Sequence, residues 1–137
     1  NPLSGNFKNQ FRLSLNENPT YNLDLQIGAA KSSFNLIPFK VKNLLLETGA
    51  TDTKIKLGDK QDSVSVRIDM GAAALKIYIP ESSGCKLKGD MVLMTKDLEG
   101  FKEFNSGLYI TENYDSSNAK IHIDIDGGVA SLDIKRY

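Results

Sequence analysis

The sequence predicts an all-β chain: a single-stranded, β-helix-like β-solenoid of about five stacked coils with an N-terminal capping strand. Three observations carry that expectation. A glycine-small phrase recurs, as Ile27-Gly28-Ala29-Ala30, Thr48-Gly49-Ala50-Thr51, Met70-Gly71-Ala72-Ala73 and Gly127-Gly128-Val129-Ala130, with a degenerate copy at Gly89-Asp90-Met91-Val92. Apolar residues stand in fixed columns around the phrase. The parity of those columns reverses across it.

Anchored on Gly28, Gly49, Gly71, Asp90 and Gly128, the copies are spaced by 21, 22, 19 and 38 residues. The last spacing leaves room for a cryptic coil or an excursion. Three before the anchor stand Leu25, Leu46, Ile68, Leu87 and Ile125; five before it stand Leu23, Leu44, Val66, Cys85 and Ile123. The column between them and the anchor is polar: Gln26, Glu47, Asp69, Lys88 and Asp126. Such alternation marks a strand with one buried face.

Six after the anchor come Phe34, Ile55, Ile77, Lys96 and Ile134, and eight after it Leu36, Leu57, Ile79, Leu98 and Arg136. A straight strand cannot turn odd offsets inward on one side of a point and even offsets inward on the other. A bend between two strands can, and glycine at the bend is expected to supply positive φ in a crowded corner. One such repeat cannot bury its own apolar face; stacked copies can. A leucine-rich repeat has a similar length, but its Asn/Cys ladder position is missing. An antiparallel sandwich also fits strands at this spacing and stays open as the rival, with column identity favouring the solenoid.

If the fourth coil neighbours the fifth, Lys86 is expected beside Asp124 and Lys88 beside Asp126, opposite charges on an outward face. Residues 1–20, with Phe11, Leu13 and Leu15 alternating, are expected to form the segment that caps the first coil. Residues 21–137 form the solenoid. Within it, residues 99–118 hold Phe101, Phe104, Tyr109, Ile110 and Tyr114 among Gly, Asn and Ser, an aromatic excursion that fills the double spacing.

Composition narrows the function. The 17 basic and 17 acidic residues balance, so no overall field draws the chain to nucleic acid. One Cys and one His leave no internal disulfide, thiolate cluster or multi-His metal site. No apolar run approaches the roughly 20 residues of a membrane helix. The chain starts at Asn1, and membrane proximity is expected through a segment not present in it. Asn18-Pro19-Thr20 has Pro at the middle position and is no glycosylation acceptor.

No catalytic, cofactor or metal site is expected. Cys85 falls in an inward column and His122 in the outward one with Asn22, Asn43, Ser65 and Gly84, so the two cannot form a dyad. Asp124 and Asp126 read as an outward ladder neutralised by lysines. Lys54, Lys56 and Lys76, with Lys135 extending them, form a basic strip: solvated surface or a partner contact. Asp69 near Arg67 is the one hint of carbohydrate chemistry. The aromatics Phe101, Phe104, Tyr109 and Tyr114 either anchor a protein partner or close the core over the double spacing.

Several phrases together resemble the LiaF-like C-terminal, or toast-rack (DUF2154-type), domain family of bacteria. They are Tyr21-Asn22-Leu23-Asp24-Leu25-Gln26-Ile27-Gly28-Ala29-Ala30, Leu46-Glu47-Thr48-Gly49-Ala50, Ile79-Pro80-Glu81 with Gly84, and Tyr114-Asp115 running into Ile121-His122-Ile123-Asp124-Ile125. The resemblance spans about residues 20–137; Gly-Ala coils also occur in related candidate adhesins. It implies a stacked β-solenoid of the cell envelope, the soluble domain of a membrane-attached or exported protein. Its expected partner is a protein, such as a membrane sensor kinase of an envelope-stress system, with no small-molecule substrate. The rivals are a surface-exposed adhesive solenoid and a carbohydrate-acting β-helix.

Overall fold

Alternation of inward and outward residues dictates the local structure, and parallel stacking of the resulting strands builds the core. A computed structural model describes residues 16–28, 31–49, 52–105 and 107–137 of the chain. Short strands come in pairs: β1 (Thr20–Ile27) with β2 (Ser32–Asn35), β3 (Lys40–Thr48) with β4 (Asp52–Lys56), and β5 (Ser63–Met70) with β6 (Ala72–Ile79). The first members stack as β1-β3-β5 and the second as β2-β4-β6, all parallel. Two long strands complete the stack, β7 (Gly84–Leu98) and β10 (Lys120–Arg136), each bending through a whole coil. The chain is a β-solenoid, and the described residues contain five coils and no helix.

The apolar columns are the core. Leu25, Leu46, Ile68 and Ile125 are in register on one ladder, and Phe34, Ile55, Ile77, Ile134 and Leu98 on the other. All but Leu98, which packs against the cluster half-buried, belong to a single core cluster. Burying each such side chain stabilises the fold by about 1.5–3 kcal/mol, which is why each coil holds only with its neighbours in place.

The order of the last coils differs from the expected one. β10, last in sequence, lies between β5/β6 and β7: residues 120–126 pair with β5, residues 129–136 with β6, and nearly the whole strand with β7. The expected register between β7 and β10 is therefore corrected. Lys86 lies opposite His122, Lys88 opposite Asp124, Asp90 opposite Asp126 and Val92 opposite Gly128. The true anchor of that coil is Val92, which restores a spacing of 21 from Gly71. A slip of two residues keeps every side chain on its face, so alternation could not expose the error. Leu98 takes the place of Lys96 opposite Ile134, and Lys96 shifts to stand opposite Leu132, on the same face but exposed.

The arcs need a second correction. Gly28, Gly49, Gly71 and Gly128 do not have positive φ, and a Cβ on any of them would meet nothing within 4 Å. Neither left-handed backbone nor crowding explains those glycines. Gly127, not Gly128, carries the positive φ (123°) at the β10 bend.

Between β7 and β10 the excursion forms a hairpin, β8 (Phe101–Asn105) and β9 (Leu108–Thr111), antiparallel to each other. β9 also runs antiparallel along the outer edge of β7, with Lys86 opposite Ile110 and Lys88 opposite Leu108. Covering that edge removes an aggregation template. Gly107 takes φ 82° where a Cβ would sit 2.7 Å from the Gly89 carbonyl oxygen, so only glycine fits the approach. Arg136, expected in an inward column, instead stands half-exposed and donates through Nη2 to the carbonyls of Pro80, Glu81 and Ser83 at 3.3, 2.8 and 2.7 Å. It ties the end of β10 to the turn that opens β7. The capping strand expected around Phe11, Leu13 and Leu15 lies outside the described residues.

Candidate functional site

The hairpin and the strands beneath it gather the chemistry. Phe101, at the start of β8, packs half-buried against the core. Phe104, on the same strand, is 63% exposed, the most exposed large hydrophobic side chain among the described residues. Tyr109 on β9 is only 8% exposed, and its hydroxyl accepts a hydrogen bond from Lys96 Nζ at 2.5 Å. That bond holds the Lys96 ammonium above its ordinary pKa. The structure thus separates the four aromatics: Phe104 outward, Tyr109 inward, and Phe101 and Tyr114 between.

Tyr114 belongs to the turn that leads from β9 into β10. Close approach of this turn to β7 requires glycine at position 84, where a Cβ would lie 2.7 Å from the Tyr114 Cα. Both Lys86 Nζ and Lys120 Nζ stand 4.8 Å from the centroid of the Tyr114 ring. The Tyr114 hydroxyl and His122 Nε2 are hydrogen-bonded at 2.5 Å. Cross-strand register brings His122 opposite Lys86, and period-2 alternation puts Lys120 on the same face as His122. Partial burial, followed by the charges of Lys86 and Lys120, holds the His122 imidazole below its ordinary pKa. Beside the cluster runs a groove of about 510 Å³ lined by Lys86, Lys102, Phe104, Ile110 and Tyr114, with Glu112 and Asp115 among its polar groups.

Other candidates fall elsewhere. Cys85 is fully buried opposite Ile121, while its strand neighbour's partner, His122, is exposed. Burial pushes the Cys85 thiol from 9.0 up to about 12, against a smaller opposing effect of Arg136, so it stays an unreactive thiol at neutral pH. Lys54 and Lys56 lean over the Tyr78 ring at 5.9 and 5.7 Å. Lys76 lies opposite Asp133, and Lys135 is ion-paired with Asp97 at 2.7 Å, so the strip is partly neutralised. Asp126 stands opposite Asp69 and Asp90, not a lysine, and Arg67 lies opposite Asp124. Among the described residues no group of three or more His, Cys, Asp or Glu is placed to hold a metal ion.

The Lys86–Lys120–Tyr114–His122 grouping went unseen in the sequence because it depends on a β7–β10 register two residues from the expected one and on the turn that brings Tyr114 over β7. The alternating Lys120-Ile121-His122 was the available signal, once a cationic neighbour strand was known.

The family model for the N-terminal domain of toast_rack, DUF2154, matches residues 1–78. No curated protein matches the chain. Among solved structures, a candidate cell adhesion protein of Clostridium sporogenes is similar, with a TM-score of 0.82 and 25% identity over 90% of this chain. The chain spans 58% of the length of that protein.

Proposed function

The chain belongs to the toast-rack family, and from that premise we propose that it is a non-enzymatic protein-interaction module of the bacterial cell envelope. Family and neighbour both fit a non-catalytic envelope module. The finer reading is that it sits in a membrane-attached or exported protein and contacts an envelope-stress sensor kinase, as the LiaF-like resemblance implies. The observation that carries a contact function is Phe104, 63% exposed on a hairpin held against a rigid stack. Exposed aromatics on such scaffolds are favoured interface anchors. Phe101 and Tyr114 flank it, and Tyr109 holds the hairpin from below.

The test is Phe104→Ala, a surface change that leaves the core intact. Binding to a candidate envelope-stress sensor kinase, purified in detergent, is expected to weaken by about tenfold or more. Unchanged affinity in a folded variant removes the hairpin as the contact and moves attention to Lys54, Lys56 and Lys76. A second reading, surface adhesion, is favoured by the candidate adhesion protein that shares the fold. Attachment of cells displaying the chain to a host or matrix surface, unaffected by loss of the kinase, is the outcome that selects it.

A further inference from the structure

Lys86, Lys120 and His122 are three nitrogen-bearing side chains on one sheet face, drawn around a single phenol by the pairing of β7 with β10. Neither lysine has a carboxylate partner among the described residues, where the ion pairs are Lys102 with Glu112 and Lys135 with Asp97. Like charges placed together on neighbouring strands destabilise a sheet. A Tyr ring can offset part of that cost through its quadrupole, but it supplies no counter-charge. We propose that this face is an oxyanion site, in which Lys86, Lys120 and His122 hold a phosphate group above the Tyr114 hydroxyl.

The chemistry favours phosphate over a carboxylate. A phosphate offers oxygens in several directions and as many as two negative charges, which suits two separate ammoniums and an imidazole better than a planar group does. The groove alongside, with Phe104 and Ile110 in its wall, has room for the organic remainder of a phosphate ester. The charged surroundings of His122 can be named strand by strand. On β10 they are Lys120 and Asp124; on β7, Lys86 and Lys88. On β5, Ser65 is directly opposite and Arg67 lies one outward position on; in the turn, Tyr114 is bonded to the ring and Asp115 lines the groove. The two lysines are the charges that act on the imidazole, and both repel its protonated form. An anion seated between them reverses that field. The phosphate has two possible sources, a lipid headgroup or a soluble ester, which share this recognition.

His122 is the single histidine of the chain, so its Hε1 proton gives one unambiguously assigned NMR signal. Inorganic phosphate added to the intact protein is expected to shift that signal saturably and to raise the His122 titration midpoint by about one unit. Sodium chloride at matched ionic strength is expected not to do so. The double variant K86Q/K120Q is expected to start from a higher midpoint and to lose the phosphate response. The proposal is overturned if chloride matches phosphate, or if the double variant responds like the parent. Vesicles then separate the sources. Binding to phosphatidylglycerol but not phosphatidylcholine, displaced by phosphate and lost in K86Q/K120Q, assigns a lipid headgroup. A phosphate response without vesicle binding assigns a soluble ester.

Discussion

The first three coils and the last two are built from the same alternation, yet they are assembled differently. In β1 to β6 each coil stacks on the one before it, so order in sequence and order in space coincide. In β7 to β10 the chain skips a place, lays down β7, turns back through the β8–β9 hairpin, and fills the gap with β10. β10 is thus flanked on both sides along most of its length, whereas β1 has one strand partner among the described residues. Position in the stack, and not position in the chain, sets how much each side chain contributes.

The sharpest way to break this comparison is to truncate equivalent inward residues in the two regions. Leu23 and Ile123 occupy one column, but Leu23 is half-buried on the edge coil and Ile123 is fully buried between two strands. Ile123→Ala is expected to cost about 2–5 kcal/mol. Leu23→Ala should cost about half as much, because part of its surface already meets water. Urea unfolding at constant slope measures both. Equal losses would mean that β10 is not the central strand.

A smaller effect separates the glycines of the two regions. Gly84→Ala would press a methyl against the Tyr114 backbone at 2.7 Å, and overpacking of that kind costs about 1–3 kcal/mol. Gly71→Ala faces open space without positive φ and is expected to change stability by no more than about 0.5 kcal/mol. Thermal midpoints of the two variants decide it. A large loss at Gly71 would restore a tight arc there.

The smallest effect at neutral pH concerns Cys85. The folded thiol is pushed up to about 12, so the native state keeps its proton where the unfolded chain has lost it. Its contribution is constant below the ordinary value of 9.0 and falls as pH rises from there toward 12. Cys85→Ser should remove that alkaline decline. A thiol reagent should label the native protein slowly and the denatured protein fast. Rapid native labelling would show that the β7 coil opens around Cys85 in the native state.

Much of this was legible in the residues. Leu25, Leu46, Ile68 and Ile125 declared one inward column, and Phe34, Ile55, Ile77 and Ile134 another, because side-chain direction along a strand is local geometry with a period of two. The outward position of His122 and the inward position of Cys85 follow from the same rule. The candidate site was less legible. Four aromatics of one excursion look alike in sequence, and only the pairing of β9 with β7 turns Tyr109 toward the core while leaving Phe104 in solvent.

What the sequence by itself determined is which face each residue takes and that the faces must be stacked. The tertiary structure alone decided which strand lies beside which. Lys86 meets His122 instead of Asp124 because β10 settles into the place between β5/β6 and β7 in a register two residues from the expected one. Both registers bury the same faces and make the same kind of ladder hydrogen bond, so alternation cannot choose between them. The choice falls to contacts far apart in the chain: Arg136 on the carbonyls of Pro80, Glu81 and Ser83, Gly84 beneath Tyr114, and Leu98 filling the column opposite Ile134.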